Sequence, residues 1–349
     1  MIAVFGAGAI GCWVGGKLAG GGAKVTLIGR PRVLDELANG LTATELDDGR
    51  DSEMRGAIVP RAAFTATPDP AAAAGADIVL VTVKSAQTAE AGAELARVVS
   101  ERAVVISLQN GVRNSETLRA ALPGRTVLAG MVPWNVTRQG PGHYHRGTSG
   151  TLMIEQHARA TAFADACRAA HLPVELRGDM RAVLWAKLVL NLNNAVNALS
   201  GLPLASELAQ RAYRRVLAAS QREALRVLAA ANQPIAKLTL VPPRLMPRVL
   251  ELPDRVFTIL ARKTIAIDPH ARSSMWDDLE AKRPTEIDYL QGEVVALAQR
   301  LGKAAPVNAK LVELVRSAET GGRRDFSGDE LAARIPRTPD RKAWLGGVP

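Results

Sequence analysis

The stretch that most constrains this chain is its beginning, IAVFGAGAIGCWVGGKLAGGGAKVTLIG, residues 2–29. An apolar run of strand character enters a glycine turn, a helical pattern follows, and a second apolar strand arrives within about 30 residues. The sequence G-A-G-A-I-G at 6–11, in that setting, fits the dinucleotide-binding fingerprint. Gly6 permits the tight turn, Gly8 lets the backbone approach a pyrophosphate, and Gly11 allows the helix and strand to pack closely. Ala7, Ala9 and Ile10 fill the same loop, whose helix N-terminus presents free amides to phosphate. A purely structural glycine turn is the competing reading.

Further apolar runs follow at DIVLVTVK (77–84), AVVISLQNG (103–111) and TVLAGMV (126–132), separated by helical patterns such as SAQTAEAGAELARVVS. This alternation predicts a mostly parallel sheet with helices on both faces. Segments 143–156 and 172–177 read as additional strands that complete a nucleotide-binding domain over residues 1–178. After that, helical patterns dominate at 180–200, 204–232, 244–265, 286–301 and 306–319, punctuated by Pro-Pro, Asp-Pro and Arg-Pro. The expected architecture is an α/β Rossmann-type nucleotide-binding domain followed by an all-α helical substrate domain over 179–349. The segment from about residue 322, rich in charge and proline, is expected to be partly mobile.

The end of the second strand discriminates between cofactors. An acid there accepts the ribose hydroxyls of NAD, but this chain has Gly29-Arg30-Pro31-Arg32. An arginine presents a planar fork to a 2′-phosphate, which an acid would repel. The expectation is NADPH rather than NADH, with Arg30 the better candidate and an exposed loop arginine as the alternative. Ligands in such sheets sit at the carboxyl ends of strands. Lys84 and Asn110 stand there, and Lys84 is one of only ten lysines in the chain. A surface lysine and an Asn-Gly turn are their competing readings.

Composition narrows the partners. The net charge of +10 comes from 44 basic and 34 acidic residues, and 34 of the basic residues are arginine, dispersed along the chain. With aromatics at 4% and no stacking motif, a basic surface that draws in acidic ligands is preferred over a nucleic-acid groove. Cys12 and Cys167 lack metal-type spacing and read as buried free thiols, and His143-Tyr144-His145 has no accompanying helix motif, so no metal is expected. No apolar run is long enough for a bilayer, and MIAVFGAG reads directly as a strand entering a turn, so no membrane span or targeting segment is expected and the protein is expected in the cytoplasm.

The segment KLVLNLNNAVNALSG (187–201) reads as helix despite four asparagines, which are poor helix formers. At about 100° per residue, Lys187, Asn191 and Asn194 share a stripe about 60° wide. Leu188, Leu192, Ala195 and Leu199 fill an adjacent face suited to packing, and Asn193 and Asn197 share a third direction, close enough to extend the polar face. The pattern predicts a packed helix presenting a polar ridge to a cleft. A capped, solvated helix whose asparagines bond neighbouring helices is the alternative.

Taken in order, GAGAIG, VTVKSAQ, SLQNG, WAKLVLN and SSMWDDLEAKRPTEIDYLQG resemble the ketopantoate reductases (2-dehydropantoate 2-reductases), from residue 1 to about 320. The resemblance implies a Rossmann domain joined to a helical domain with the active site in the cleft between them. It implies NADPH-dependent reduction of ketopantoate to pantoate, a step toward pantothenate and coenzyme A. By that resemblance Lys187 matches the catalytic lysine, Asn191 the substrate asparagine, Ser274 the serine that binds the substrate carboxylate, and Glu286 the glutamate near nicotinamide and substrate. Lys84 and Asn110 match cofactor-contacting positions, and Asn135 falls where the family backbone meets the cofactor. A protonated Lys187 would stabilise and protonate the ketone oxygen, with Asn191 and Asn194 orienting the substrate. Thr285-Glu286-Ile287-Asp288 is also spaced as a capping box, with Thr285 as N-cap and Asp288 at N3. The family often has a second asparagine eight residues after the lysine, where this chain has Ala195, with Asn194 and Asn197 nearby. That departure keeps another branched 2-oxoacid open as substrate. A non-catalytic NADPH-binding regulator is a further alternative. The oligomeric state is left open, with a homodimer among the options.

Overall fold

The computed structural model describes residues 1–45, 56–264 and 271–336. The chain divides into two compact units, Met1–Met180 and a second beginning at Arg181. In the first, β1 (Ile2–Phe5), β2 (Val25–Ile28), β6 (Ile78–Val81) and β7 (Val104–Ser107) are buried along their whole length, which is why they are continuous apolar runs rather than alternating ones. With β5 (Phe64–Thr67), β8 (Thr126–Met131), β11 (Leu152–Glu155) and β12 (Val174–Arg177) they form one sheet in the order β12-β11-β8-β7-β6-β1-β2-β5. Its pairs from β5 to β8 are parallel, and β11 joins β8 antiparallel. The strand order reverses between β1 and β6, which is the topological switch point at whose carboxyl end such sheets bind ligands.

Helix α1 (Ala9–Gly20) follows the glycine turn, and every residue from Gly11 to Ala19 is buried. A helix buried all round needs cover on both sides. One side is the large sheet. The other is a four-stranded sheet, β4-β3-β10-β9, made of β3 (Leu41–Glu45), β4 (Gly56–Val59), β9 (Val136–Gly140) and β10 (His143–Arg146). The sequence reading identified only β10 of these. Lys17 of α1 pays for its burial through an ion pair with Glu45 at 2.9 Å, and Glu45 also pairs with Arg146. The Arg146 guanidinium lies over both Trp13 and Trp134, 5.2 Å from each ring centre. Cys12 and Cys167 are buried free thiols, both pushed up to about 12 by burial.

The remaining helices of the first unit are α2 (Pro31–Asp35), α3 (Thr88–Val98), α4 (Asn114–Ala121) and α5 (Thr161–Ala169). The second unit is helical, but its helices are shorter than the sequence periods suggest. The 180–200 stretch is α6 (Met180–Asn191) and α7 (Asn193–Ser200), separated at Leu192. The 204–232 stretch is α8 (Leu204–Leu208) and α9 (Arg211–Ala230), and the 244–265 stretch is α10 (Met246–Leu250) and α11 (Asp254–Thr264). The fully buried Arg214 explains two of these ends. Its guanidinium donates to the carbonyls of Leu208, Leu250 and Leu252 at 2.7–2.9 Å, which terminate α8 and α10. The buried Glu223 of α9 likewise accepts from the first amides of α14 (Pro306–Glu319), Val307 at 3.0 Å and Asn308 at 2.8 Å.

One local expectation is corrected. Thr285 accepts from the Ile287 amide at 3.2 Å within a short 3₁₀ turn (Ile287–Tyr289), Asp288 pairs with Arg316, and the α-helix α13 starts only at Gln291 and runs to Arg300. No capping box forms there, because the turn at Leu290 separates Thr285 from the helix. The segment after residue 322 is folded as far as residue 336: Phe326 donates to the Leu199 carbonyl at 2.9 Å, Tyr213 donates to the Phe326 carbonyl at 2.7 Å, and α15 (Gly328–Arg334) begins with a Ser327/Glu330 capping box and buries Leu331 completely. Residues 337–349 lie outside the described residues. Among the described residues no helix is long and apolar enough to cross a membrane, and no group of three or more His, Cys, Asp or Glu could hold a metal.

Candidate active site

The glycine loop joins β1 to α1. Gly6 has φ +110°, and a Cβ there would stand 2.6 Å from the Val83 amide. A Cβ at Gly11 would stand 2.4 Å from the Gly6 carbonyl and 2.6 Å from Thr82 Oγ1. Both glycines are demanded by the fold itself. Gly8 is different: it is exposed, and a Cβ there would meet only the Gly6 carbonyl, at 4.0 Å. Its bareness leaves room for a group from outside the protein. Gly6 and Ala7 donate to the Ile28 carbonyl, which holds the loop against the end of β2. The amides of Ala9, Ile10 and Gly11 belong to the first turn of α1, where no helical carbonyl can reach them. The loop can therefore receive an anion on backbone donors.

Arg30 stands two residues beyond β2 as the N-cap of α2, exposed. Lys84 lies three residues past the end of β6, exposed, and Asn110 three residues past β7, half-buried. A polar network ties these two strand ends together. Ser85 donates to the Asn110 carbonyl at 3.0 Å, Gln109 donates to the Val83 carbonyl at 3.1 Å, and Asn114 donates to Ser85 Oγ at 3.1 Å. Gly111, with φ +92°, turns the chain immediately afterwards. Asn135 is exposed in the loop between β8 and β9, its amide bonded to Thr148 Oγ1 at 3.2 Å, one residue after the Trp134 that packs against Trp13 of α1.

In the second unit, Lys187 and Asn191 lie one turn apart on α6, both half-buried. Burial lowers the Lys187 ammonium from 10.5 to about 8. Leu188, Leu192, Ala195 and Leu199 are all buried, as their shared face requires. The break at Leu192 has a cause in the neighbouring helices: Gln221 donates to the Val189 carbonyl at 3.1 Å and Gln291 to the Leu192 carbonyl at 2.8 Å, so side chains engage carbonyls of the helix ladder. Gln291 also ties the segment bearing the buried Glu286 to this helix. Helix α12 (Ser274–Glu280) packs on α7. There Ser273 N donates to Asn197 Oδ1 at 2.9 Å and Ser273 Oγ to the Asn194 carbonyl at 3.2 Å, which places the half-buried Ser274 next in the chain. Asn193 and Asn197 do not extend the polar ridge: both donate to Glu207, and Asn197 has no exposed surface.

The predicted residues thus fall into two sets, Gly6–Gly11, Arg30, Lys84, Asn110 and Asn135 on the first unit and Lys187, Asn191, Asn194, Ser274 and Glu286 on the second. Sequence reasoning missed Ser273, Gln221, Gln291 and Glu207, which hold the second set in place. The only available signal was that four asparagines in one helix need buried partners.

A sheet with this strand order and glycine loop, followed by a helical unit bearing a lysine of lowered proton affinity, defines the class as a Rossmann-type oxidoreductase. Residues 2–159 match the family described as Ketopantoate reductase PanE/ApbA, and residues 179–319 match its C-terminal counterpart. The chain belongs to the ketopantoate reductase family. It is 30% identical over 327 residues to a 2-dehydropantoate 2-reductase of Halobacterium salinarum, covering 92% of this chain and 99% of that protein. A 2-dehydropantoate 2-reductase of Mycobacterium tuberculosis is 30% identical over 324 residues, covering 92% and 98%. Among solved structures, a PanE/ApbA family ketopantoate reductase from Ralstonia eutropha superposes with a TM-score of 0.77 at 32% identity, covering 92% of this chain and 98% of that one. A D-mandelate dehydrogenase solved with NADH and anilino(oxo)acetate shares the fold, with a TM-score of 0.73 at 20% identity over 92% and 98% of the two chains.

Proposed function

We propose that this protein reduces 2-dehydropantoate to pantoate with NADPH, in the cytoplasm, with Lys187 as general acid. The observation that carries the reading is the Lys187 ammonium, half-buried one turn from Asn191 and brought by burial to about 8, where it can give up a proton at working pH. The first unit fits the cofactor: Gly8 leaves space, the first-turn amides of α1 offer donors to a pyrophosphate, and exposed Arg30 stands where an acid would select NAD. Bound NADPH would supply the hydride. As the ketone carbon accepts it, the carbonyl oxygen gains charge, and Lys187 stabilises that oxygen and donates its proton to it. The product is the alcohol, and the neutral amine recovers its proton from solvent. Asn191 and Asn194 orient the substrate's carbonyl and hydroxyl, Ser274 holds its carboxylate, and Glu286 lies near the reacting centre. Lys84, Asn110 and Asn135 contact the cofactor.

A second reading, reduction of another branched 2-oxoacid, is favoured by Ala195, a fully buried methyl where the family often has an asparagine. The test is NADPH oxidation by purified protein with ketopantoate, run beside NADH and a series of 2-oxoacids. Fast turnover with ketopantoate and NADPH supports the first reading. Faster turnover with a different 2-oxoacid replaces it with the second, and tight NADPH binding without turnover on any acid leaves a non-catalytic regulator. Sedimentation of the same sample tests a homodimer.

A further inference from the structure

Glu207 of α8 has no exposed surface, and among the described residues its partners are amides rather than a cation. Asn193 Nδ2 lies 3.3 Å and Asn197 Nδ2 3.0 Å from the same oxygen, Oε2. The other carboxyl oxygen, Oε1, and Asn193 Oδ1 are both buried without a hydrogen-bond partner. Among the described buried side-chain atoms of this pocket, two acceptors and no donor lack a partner. One proton on the carboxyl removes a buried charge and converts one of those acceptors into a donor. Burial pushes the Glu207 carboxyl up to about 8, which agrees with a neutral group.

The consequence reaches Ser274 through Asn197. Asn197 uses both donor hydrogens, one on Glu207 and one on the Leu202 carbonyl at 2.9 Å, so its Oδ1 must face the Ser273 amide. A flipped amide would set donor against donor. Ser273 in turn is held at two further points, by its bond to the Asn194 carbonyl and by accepting from the Trp276 amide at 3.2 Å as N-cap of α12. We infer that Glu207 is a positioning residue: a neutral carboxyl that locks Asn197 in one orientation and thereby sets the Ser273–Ser274 turn for the substrate's carboxylate. This inference rests on the proposed role of Ser274.

The test compares Glu207→Leu, Glu207→Gln and Glu207→Asp in the full chain by steady-state kinetics and by NMR-detected hydrogen exchange of the Ser273 amide. Losing one hydrogen bond from the chain predicts about a tenfold rise in KM for ketopantoate in Glu207→Leu, with kcat and NADPH affinity little changed, and about tenfold faster exchange at Ser273. Glu207→Gln keeps an acceptor for Asn197 and a donor on the same end, so it restores both quantities. If Glu207→Leu does not fold, Glu207→Asp, which withdraws the carboxyl by one methylene, shows the same shifts at smaller size. Unchanged KM and exchange in Glu207→Leu and Glu207→Asp overturn the inference, as does a Glu207→Gln protein as impaired as Glu207→Leu. Faster Ser273 exchange with unchanged KM overturns the link to the substrate. Should the wild-type protein reduce no ketopantoate, the proposed function fails on that assay alone, and the exchange measurement still decides whether Glu207 orders the turn.

Discussion

In the first unit, the loop from Gly6 to Gly11 offers a ligand its backbone: bare Gly8 and the first-turn amides of α1. In the second, the candidate side chains are Lys187, Asn191 and Asn194 on α6 and α7 and Ser274 on α12, and each stands on a helix that other residues hold. Gln221 and Gln291 bond the carbonyls of Val189 and Leu192, Asn197 is held by Glu207 and Leu202, and Ser273 is suspended from Asn194 and Asn197. Backbone recognition needs only a turn of the right shape, which six consecutive residues can encode. Side-chain recognition needs a buried polar scaffold, and its members come from α6, α7, α8, α9, α12 and α13. The first kind of site is local, and the second is a property of the packed unit.

The largest effect that would sharpen this comparison is at Lys187. Lys187→Ala should lower kcat by ~10²–10⁴-fold and leave NADPH affinity, measured by fluorescence titration, unchanged. A loss of cofactor binding of similar size would break the separation between the two sets. The same residue sets a pH limb. With the ammonium held at about 8, the acid form is present below that value and lost above it, so kcat for reduction should fall roughly tenfold per unit above pH 8. A profile flat through pH 9 would remove Lys187 as the proton donor.

Next in size are the glycines. Gly11→Ala forces a methyl to within 2.4 Å of the Gly6 carbonyl, and the strain should destabilise the protein by ~1–3 kcal/mol, seen as a lower Tm. Gly8→Ala meets no such obstacle, so its melt should shift by no more than about 1 kcal/mol while NADPH binding weakens more than in Gly11→Ala. The reverse ranking would mean that Gly8 serves the fold rather than a ligand. The smallest effect is at Arg30: Arg30→Ala removes one charge-assisted contact and should cost NADPH about tenfold in affinity, with NADH nearly unaffected. Equal losses for both cofactors would break the reading of the 2′-phosphate site.

Much of this was legible beforehand because it rests on short-range rules. Continuous apolar runs announced strands buried on both faces, and the glycine spacing announced the turn. The stripe carrying Lys187 and Asn191 followed from helical periodicity. The small sheet over α1 was not legible. Its strands are short and mixed in burial, β9 is mostly exposed, and β3 finds its partner in β10 about a hundred residues later, a pairing no local pattern records. Two of the helix breaks were missed for the same reason: Leu192 and Leu250 are good helix formers, and what engages their carbonyls is Gln291 or Arg214 from an element far along the chain.

By itself the sequence determined the chemistry available to this protein: a glycine loop for a dinucleotide, an arginine rather than an acid after β2, and a lysine one helical turn before an asparagine. These depend on residue identity and spacing along a single element. Only the tertiary structure decided which polar residues face outward and which are scaffolding. Asn194 and Asn197 are both asparagines on α7, yet Asn194 is half-buried and Asn197 is sealed against Glu207 and Ser273. A polar side chain can be buried only where partners wait for it, and those partners are assembled by folding, not by neighbours in the chain.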